Sequence, residues 1–234
     1  NYPNRDGRIG NGVGLDTPAS AVAVLQTLAA AGYGVEGIPA DGDALVTALL
    51  AGPTNAGVAG RIVRETLSLA DYAAFFEALP APVRAAVSDR WGAPEADPFF
   101  LPARGGFALP LLRCGRIVLG LQPARGYNTD PSASYHDPDL PPPHGYLAFY
   151  AWLRGAVQAV VHLGKHGNLE WLPGKAVALS EGCFPDAVLG PMPHLYPFIV
   201  NDPGEGTQAK RRSQAVIVDH LTPPLTRAES YGRL

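Results

Sequence analysis

Residues Ala156–Lys175 read AVQAVVHLGKHGNLEWLPGK. A valine-rich apolar run meets Gly164, and a short mixed segment then ends before Pro173-Gly174. This order predicts a buried strand over 156–163, a tight turn, and a short helix over 166–172. Upstream, the aromatic-rich stretch Gly145–Arg154 predicts a helix. Downstream, Asn201-Asp202-Pro203 predicts the start of a last helix from Glu205 to about His220, stopped by Pro223-Pro224. Short apolar runs at Ala187–Leu189 and Tyr196–Val200 lie between. Helices alternating with short strands place the chain in the α/β class, with mixed or parallel sheets flanked by helices.

The N-terminal half supports that class. Asp16-Thr17-Pro18 predicts a helix start, and the helix runs from Ala19 to about Ala31 before Gly32. Tyr33–Ile38 reads as a strand start, and Asp41-Gly42-Asp43 caps a helix over Ala44–Leu50. Leu69–Trp91 reads as one or two helices broken at Pro80 and Pro82. Phe107–Leu112 and Arg116–Leu121, separated by Cys114-Gly115, predict a hairpin or two short strands. Residues 122–145 form a long Gly/Pro-rich loop, of a kind that usually carries function. Two lobes are expected, an N-terminal α/β lobe over 1–105 and a second α/β lobe over 106–234.

Composition narrows the function classes. Hydrophobic residues make up 47% and charged residues 17% of 234, a globular balance. The net charge of −3 argues against a general nucleic-acid binder. No apolar run is long enough to predict a membrane-spanning helix. Two distant cysteines, Cys114 and Cys183, fit a reducing cytoplasm and exclude a cysteine-built structural zinc site. The opening NYPNRDGRIGNG has neither Met nor a leader pattern and reads as an internal piece of something longer.

The chemistry concentrates in the second half. His162 falls at the C-terminal end of the expected strand, where α/β folds place reactive groups. His166 and Glu170 are four residues apart and share a face if helical. Imidazoles with a carboxylate suit a divalent metal of borderline hardness, or a proton relay. The same spacing also fits a surface His–Glu pair beside a core histidine. His136 and His144, with Asp137 and Asp139, form a second polar group, or an exposed loop with Asp-Pro turns. Arg125 beside Gly126 can fork onto an anion, as can Lys210-Arg211-Arg212, although such a run also fits a solvated helix face. GxxxxGK[ST], GxSxG and HExxH are all absent, which removes a P-loop, a nucleophile elbow and a zincin centre.

Four stretches carry a resemblance. They are NYPNRDGRIGNGVGLDTPAS (1–20), LQPARGYNTDPSASYHDPDLPPPHGYLAFYAWLR (121–154), VVHLGKHGNLEWLPGK (160–175) and IVNDPGEGTQAKRRSQAVIVDHLTPPLT (199–226). Together they resemble the large-subunit family of the ATP-dependent, aerobic-type cobaltochelatase and of magnesium chelatase. The resemblance covers nearly the whole chain and is weakest over 41–105. It implies an internal fragment of a metal chelatase, a ligase forming nitrogen–metal bonds, acting in cobalamin biosynthesis. The implied substrates are Co²⁺ and hydrogenobyrinic acid a,c-diamide. ATP and Mg²⁺ are implied on AAA+ and associated partner subunits, in keeping with the missing P-loop. His162, His166 and Glu170 become the implied catalytic and metal-holding residues. Arg125, His136, His144, Lys165 and Lys175 become the implied contacts to the macrocycle.

PARGYN…YHDPDLPPPHGY looks closer to the cobalt branch than to the magnesium branch, which inserts Mg²⁺ into protoporphyrin IX. A histidine-rich site also suits cobalt better than magnesium. The same residues are compatible with a non-catalytic tetrapyrrole or metal carrier, and with a zinc hydrolase lacking the HExxH order.

Overall fold

The computed structural model describes residues 11–12, 15–126, 137–164, 167–197 and 203–218. Elements are mixed α/β. A short ladder, β1 (Asn11–Gly12) with β2 (Leu15–Asp16), leads into α1 (Thr17–Ala30) and α2 (Gly42–Leu50). Both helices start on an aspartate. Asp16 accepts from the Ala19 N–H at 3.0 Å, and Asp41 from the Ala44 N–H at 2.8 Å. Ala21, Val22 and Leu45 bury their side chains where the helices meet. The strand expected over Tyr33–Ile38 does not form. Gly37 takes φ +63° and Pro39 follows, so the segment makes only scattered links, such as those from the Arg116 N–H to the Gly34 carbonyl and from the Cys114 thiol to the Gly37 carbonyl.

The central sheet is antiparallel. β5 (Gly106–Leu109) lies between β3 (Glu65–Ser68) and β4 (Phe100–Leu101), with Leu67 opposite Phe107. Gly106 is obligatory here, because a Cβ would lie 2.3 Å from the Leu67 carbonyl oxygen. α3 (Leu69–Glu77) and α4 (Ala81–Trp91) follow β3, divided at Pro80 as expected, whereas Pro82 does not break the chain but sits in the first turn of α4. The strand expected over Phe107–Leu112 is split at Pro110. Its second part, β6 (Leu111–Cys114), turns through Gly115 at φ +65° and pairs with β7 (Ile117–Gly120).

The spine of the core is α5 (His144–Ala156), with Tyr146, Leu147, Ala148, Phe149, Tyr150 and Leu153 buried. Buried Asp97 holds its first turn, accepting from the Gly145 N–H at 2.6 Å and the Phe99 N–H at 2.8 Å. One apolar cluster joins Tyr72, Val83 and Val87 to Phe107, Leu147, Leu169 and Val188. It therefore draws on residues from both sides of position 105.

A parallel sheet completes the described residues. β9 (His194–Pro197) lies between β8 (Val160–Val161) and β10 (Val216–Val218). α6 (Phe184–Leu189) lies in the β8–β9 connection and α7 (Pro203–Arg212) in the β9–β10 connection. The strand expected over 156–163 shrinks to two residues: α5 takes Ala156, residues 157–159 form the connection, and only Val160–Val161 pair as a strand. The helix expected over 166–172 is a single 3₁₀ turn, Leu169–Trp171. The last helix stops at Arg212 instead of His220. Gln214 takes φ +54°, and the β-branched run Val216–Val218 then pairs as a strand.

Candidate functional site

His162 directly follows β8 and extends its pairing, donating its backbone N–H to the Leu195 carbonyl at 2.8 Å. Its ring stacks on Tyr196, with centroids 4.5 Å apart and planes at 15°. The opposing constraint is Gly167. A Cβ at that position would lie 2.1 Å from His162 Cε1, so only glycine lets the loop close on the ring. The Gly167 N–H also donates to Glu170 Oε1 at 3.1 Å. His162 and Glu170 therefore meet at one glycine, and Glu170 is fully buried.

Two sets of bonds hold this loop. On one side Asn168 donates its N–H to Gln122 Oε1 at 3.0 Å and its side-chain amide to the Pro123 carbonyl at 2.9 Å. Tyr146 donates to Asn168 Oδ1 at 2.8 Å, and Gln122 donates to the Tyr150 hydroxyl at 2.9 Å. Burial, above all, raises the Tyr146 phenol well above its ordinary value and pushes Tyr150 up to about 12. Both remain protonated at neutral pH. Asn55 steadies the other end, bonding the Gln122 carbonyl and the Ala124 N–H.

On the far side, buried Arg212 caps the loop. Its guanidinium donates to the carbonyls of Lys175, Glu170 and Leu172 at 3.0, 2.8 and 2.8 Å. Arg212 is thus neither on a solvated helix face nor free to take an anion by its fork. Cys183 closes the same loop, its sulfur accepting from the N–H groups of Lys175 and Ser180, both at 3.4 Å. Burial opposes ionisation of this thiol, but these donors and nearby Lys175 outweigh it and lower the pKa.

An apolar cleft of about 210 Å³ opens beside His162. Its walls include Ala21 of α1, Leu45 and Leu49 of α2, Leu119 of β7, and Phe149 of α5. Thr17, Gln122, Tyr150 and His162 supply its polar side chains. His162 thus faces an apolar wall on the cleft side, while the buried Glu170 carboxylate lies behind it, bonded at Gly167.

The other expected residues are placed as follows. His144 is a core residue with both ring nitrogens engaged: it donates from Nε2 to the Gly92 carbonyl at 3.0 Å and accepts at Nδ1 from Tyr72. Burial holds its pKa below the ordinary value and keeps it neutral. It contributes to packing with Tyr72 and Phe76. Arg125 is buried and donates to the Asp137 carbonyl at 2.6 Å. Lys175 is exposed at the rim of the loop. His136, Lys165 and His166 lie outside the described residues. Among the described residues, no group of three or more His, Cys, Asp or Glu could hold a metal ion. Gln122, Tyr146, Asn168 and Tyr196 were not singled out by sequence. Gln122, Tyr146 and Asn168 fall inside the stretches that carry the resemblance, and Tyr196 lies outside them.

The family model described as CobN/Magnesium Chelatase matches residues 1–234. This chain belongs to that family. It is 68% identical to the aerobic cobaltochelatase subunit CobN of Sinorhizobium sp, matching all of this chain and 18% of that protein. The chloroplastic magnesium-chelatase subunit ChlH of Oryza sativa subsp. indica is 35% identical, over all of this chain and 16% of that protein. Among solved structures, the catalytic subunit of cobaltochelatase from Mycobacterium tuberculosis matches with a TM-score of 0.78 and 50% identity, covering 95% of this chain and 20% of that one. The chain thus spans about a fifth of the length of its family relatives. Among the described residues no helix is long and apolar enough to cross a membrane.

Proposed function

We propose that this chain is the metal-insertion segment of an aerobic cobaltochelatase large subunit. It binds hydrogenobyrinic acid a,c-diamide and Co²⁺, and partner AAA+ subunits supply the ATP-driven work. The observation that carries this reading is the fully buried Glu170 carboxylate, bonded at Gly167 beside His162, where His162 also walls the apolar cleft. The greater identity to the cobalt-branch relative than to the magnesium-branch relative supports cobalt as the metal.

The reaction sets three tasks: the ion sheds water, the ring loses N–H protons, and the ring admits the ion from one face. In this proposal the macrocycle lies against the cleft wall formed by Leu45, Leu119 and Phe149. Glu170 takes ring protons, as a positioned base does. His162 and His166 replace part of the water around Co²⁺ and then release it to the ring nitrogens. Few and imperfect ligands serve this better than a closed cage, because the ion must leave. Lys165 and Lys175 would meet the acidic side chains of the substrate, as would Arg125 once its guanidinium leaves the Asp137 carbonyl. The protonated phenols Tyr146 and Tyr150 do not compete for ring protons. Tyr146 holds the loop as a donor to Asn168.

The test is an absorbance assay of insertion with the full-length subunit and its partner subunits. Co²⁺ with hydrogenobyrinic acid a,c-diamide is compared with Mg²⁺ and protoporphyrin IX. ATP-dependent insertion of cobalt into the corrin precursor supports the reading. Turnover of the porphyrin pair alone moves the chain to the magnesium branch, and tight binding without turnover makes it a carrier.

A further inference from the structure

The parallel sheet has two unequal faces. On one face Val160 packs against the main core, Tyr196 packs against Ala209 of α7, and Ile217 joins them. Residues in register across the strands share a face, so Val161, Leu195 and Val216 form one row on the other side. These three are 45%, 38% and 61% exposed, and Val218 extends the row at 52%, while Val161 at the end of the row also borders the apolar cleft. An isolated exposed valine needs no explanation, but a contiguous apolar row across three paired strands does.

Parallel sheets carry cover on both faces. Here the strand order β8, β9, β10 advances in one direction. Right-handed crossovers then place α6 and α7 on one face, and no crossover between these strands can cover the other. In doubly wound sheets the second face is covered by helices from strands that advance the opposite way. α5, which precedes β8, belongs to the already covered side through the core it shares with Val160.

We infer that the Val161–Leu195–Val216 row is an intramolecular docking face, covered by an apolar helix from another part of the same, longer polypeptide. The length available is ample, since this chain spans only 18% of its cobaltochelatase relative. The occupant must present an apolar stripe, because the row itself consists of Val161, Leu195, Val216 and Val218. The sheet that carries His162 would then be clamped between this helix on one face and α7 on the other.

Thiol labelling of the full-length protein tests this. Both native cysteines of this segment are buried, so the background from it is low. Val216→Cys is labelled alone at low protein concentration, with the same variant unfolded in urea as reference. Leu195→Cys, at the centre of the row, serves if Val216→Cys does not express. Expected is labelling slowed by about 100-fold or more in the folded, partner-free protein. Labelling at the unfolded rate overturns the inference. Protection that appears only with partner subunits, or that fades on dilution, also overturns it by naming a different occupant.

Discussion

Gly167→Ala adds one methyl where the loop closes on His162. The new Cβ would lie 2.1 Å from Cε1, 2.9 Å from Nε2 and 3.0 Å from Nδ1 of that ring. The ring must retreat by more than an ångström to regain ordinary contact, and Tyr196 stacked at 4.5 Å restricts its retreat. The alternative is for the loop to move, which pulls the Gly167 N–H away from Glu170. Overpacking of this kind costs about 1–3 kcal/mol. Hydrogen exchange of amides in residues 160–172 of the full-length protein should register that loss locally. Misplacing a reacting group by about 1 Å slows chemistry on the order of 100-fold, so insertion should fall by about that factor. The double variant His162→Ala, Gly167→Ala restores space. It should recover protection without recovering activity, giving a coupling energy of about 1 kcal/mol or more. Wild-type exchange and insertion in Gly167→Ala would refute the geometry. So would a double variant no better protected than the single one.

Neighbouring groups carry further consequences. Arg212→Ala strips donors from three carbonyls of the site loop. It should lower the local opening energy of residues 169–175 by about 3 kcal/mol, with Arg212→Lys recovering only part, as measured by hydrogen exchange. His144 and His194 have pKa values lowered mainly by burial, below the ordinary 6.5. Their unfolded forms bind protons first, so stability is present above about pH 6.5 and falls as pH drops below it. Denaturation midpoints at pH 7 and pH 5 should show that fall, and it should be shallower in His194→Asn. Gly106→Ala drives a Cβ toward the Leu67 carbonyl and should disrupt the β3–β5 pairing, read as lost amide protection over residues 65–68.

Local chemistry was legible where it acts locally. Asp16 and Asp41 announce α1 and α2, because each cap is satisfied within three residues. Pro80 separates α3 from α4 for the same kind of reason. Strand lengths were less legible. Val157, Val160 and Val161 have strand-like character, yet α5 takes Ala156, residues 157–159 serve as its exit, and only Val160–Val161 pair as β8. The last helix was overextended because Gln214 gives no sign that its backbone turns left-handed. Of the site, the neighbourhood of His162 and Glu170 was visible as spacing. The support was not, since Gln122 and Asn168 are 46 residues apart and Arg212 reaches Glu170 across 42. Such partners are chosen by the folded chain, and no local pattern marks them. His144 shows the converse. Its polar surroundings in sequence suggested a ligand, whereas its two partners, Tyr72 and Gly92, place it in the core.

The central claim is that Glu170 receives the protons of the macrocycle. Glu170→Gln keeps the size of the side chain and an oxygen able to accept from the Gly167 N–H. Single-turnover insertion of Co²⁺ is to be followed by absorbance with the full-length variant and its partner subunits, beside a titration of the macrocycle alone. The account predicts near-normal macrocycle binding, with insertion slowed by about 10²–10⁴-fold. Insertion at the wild-type rate with binding intact would contradict it.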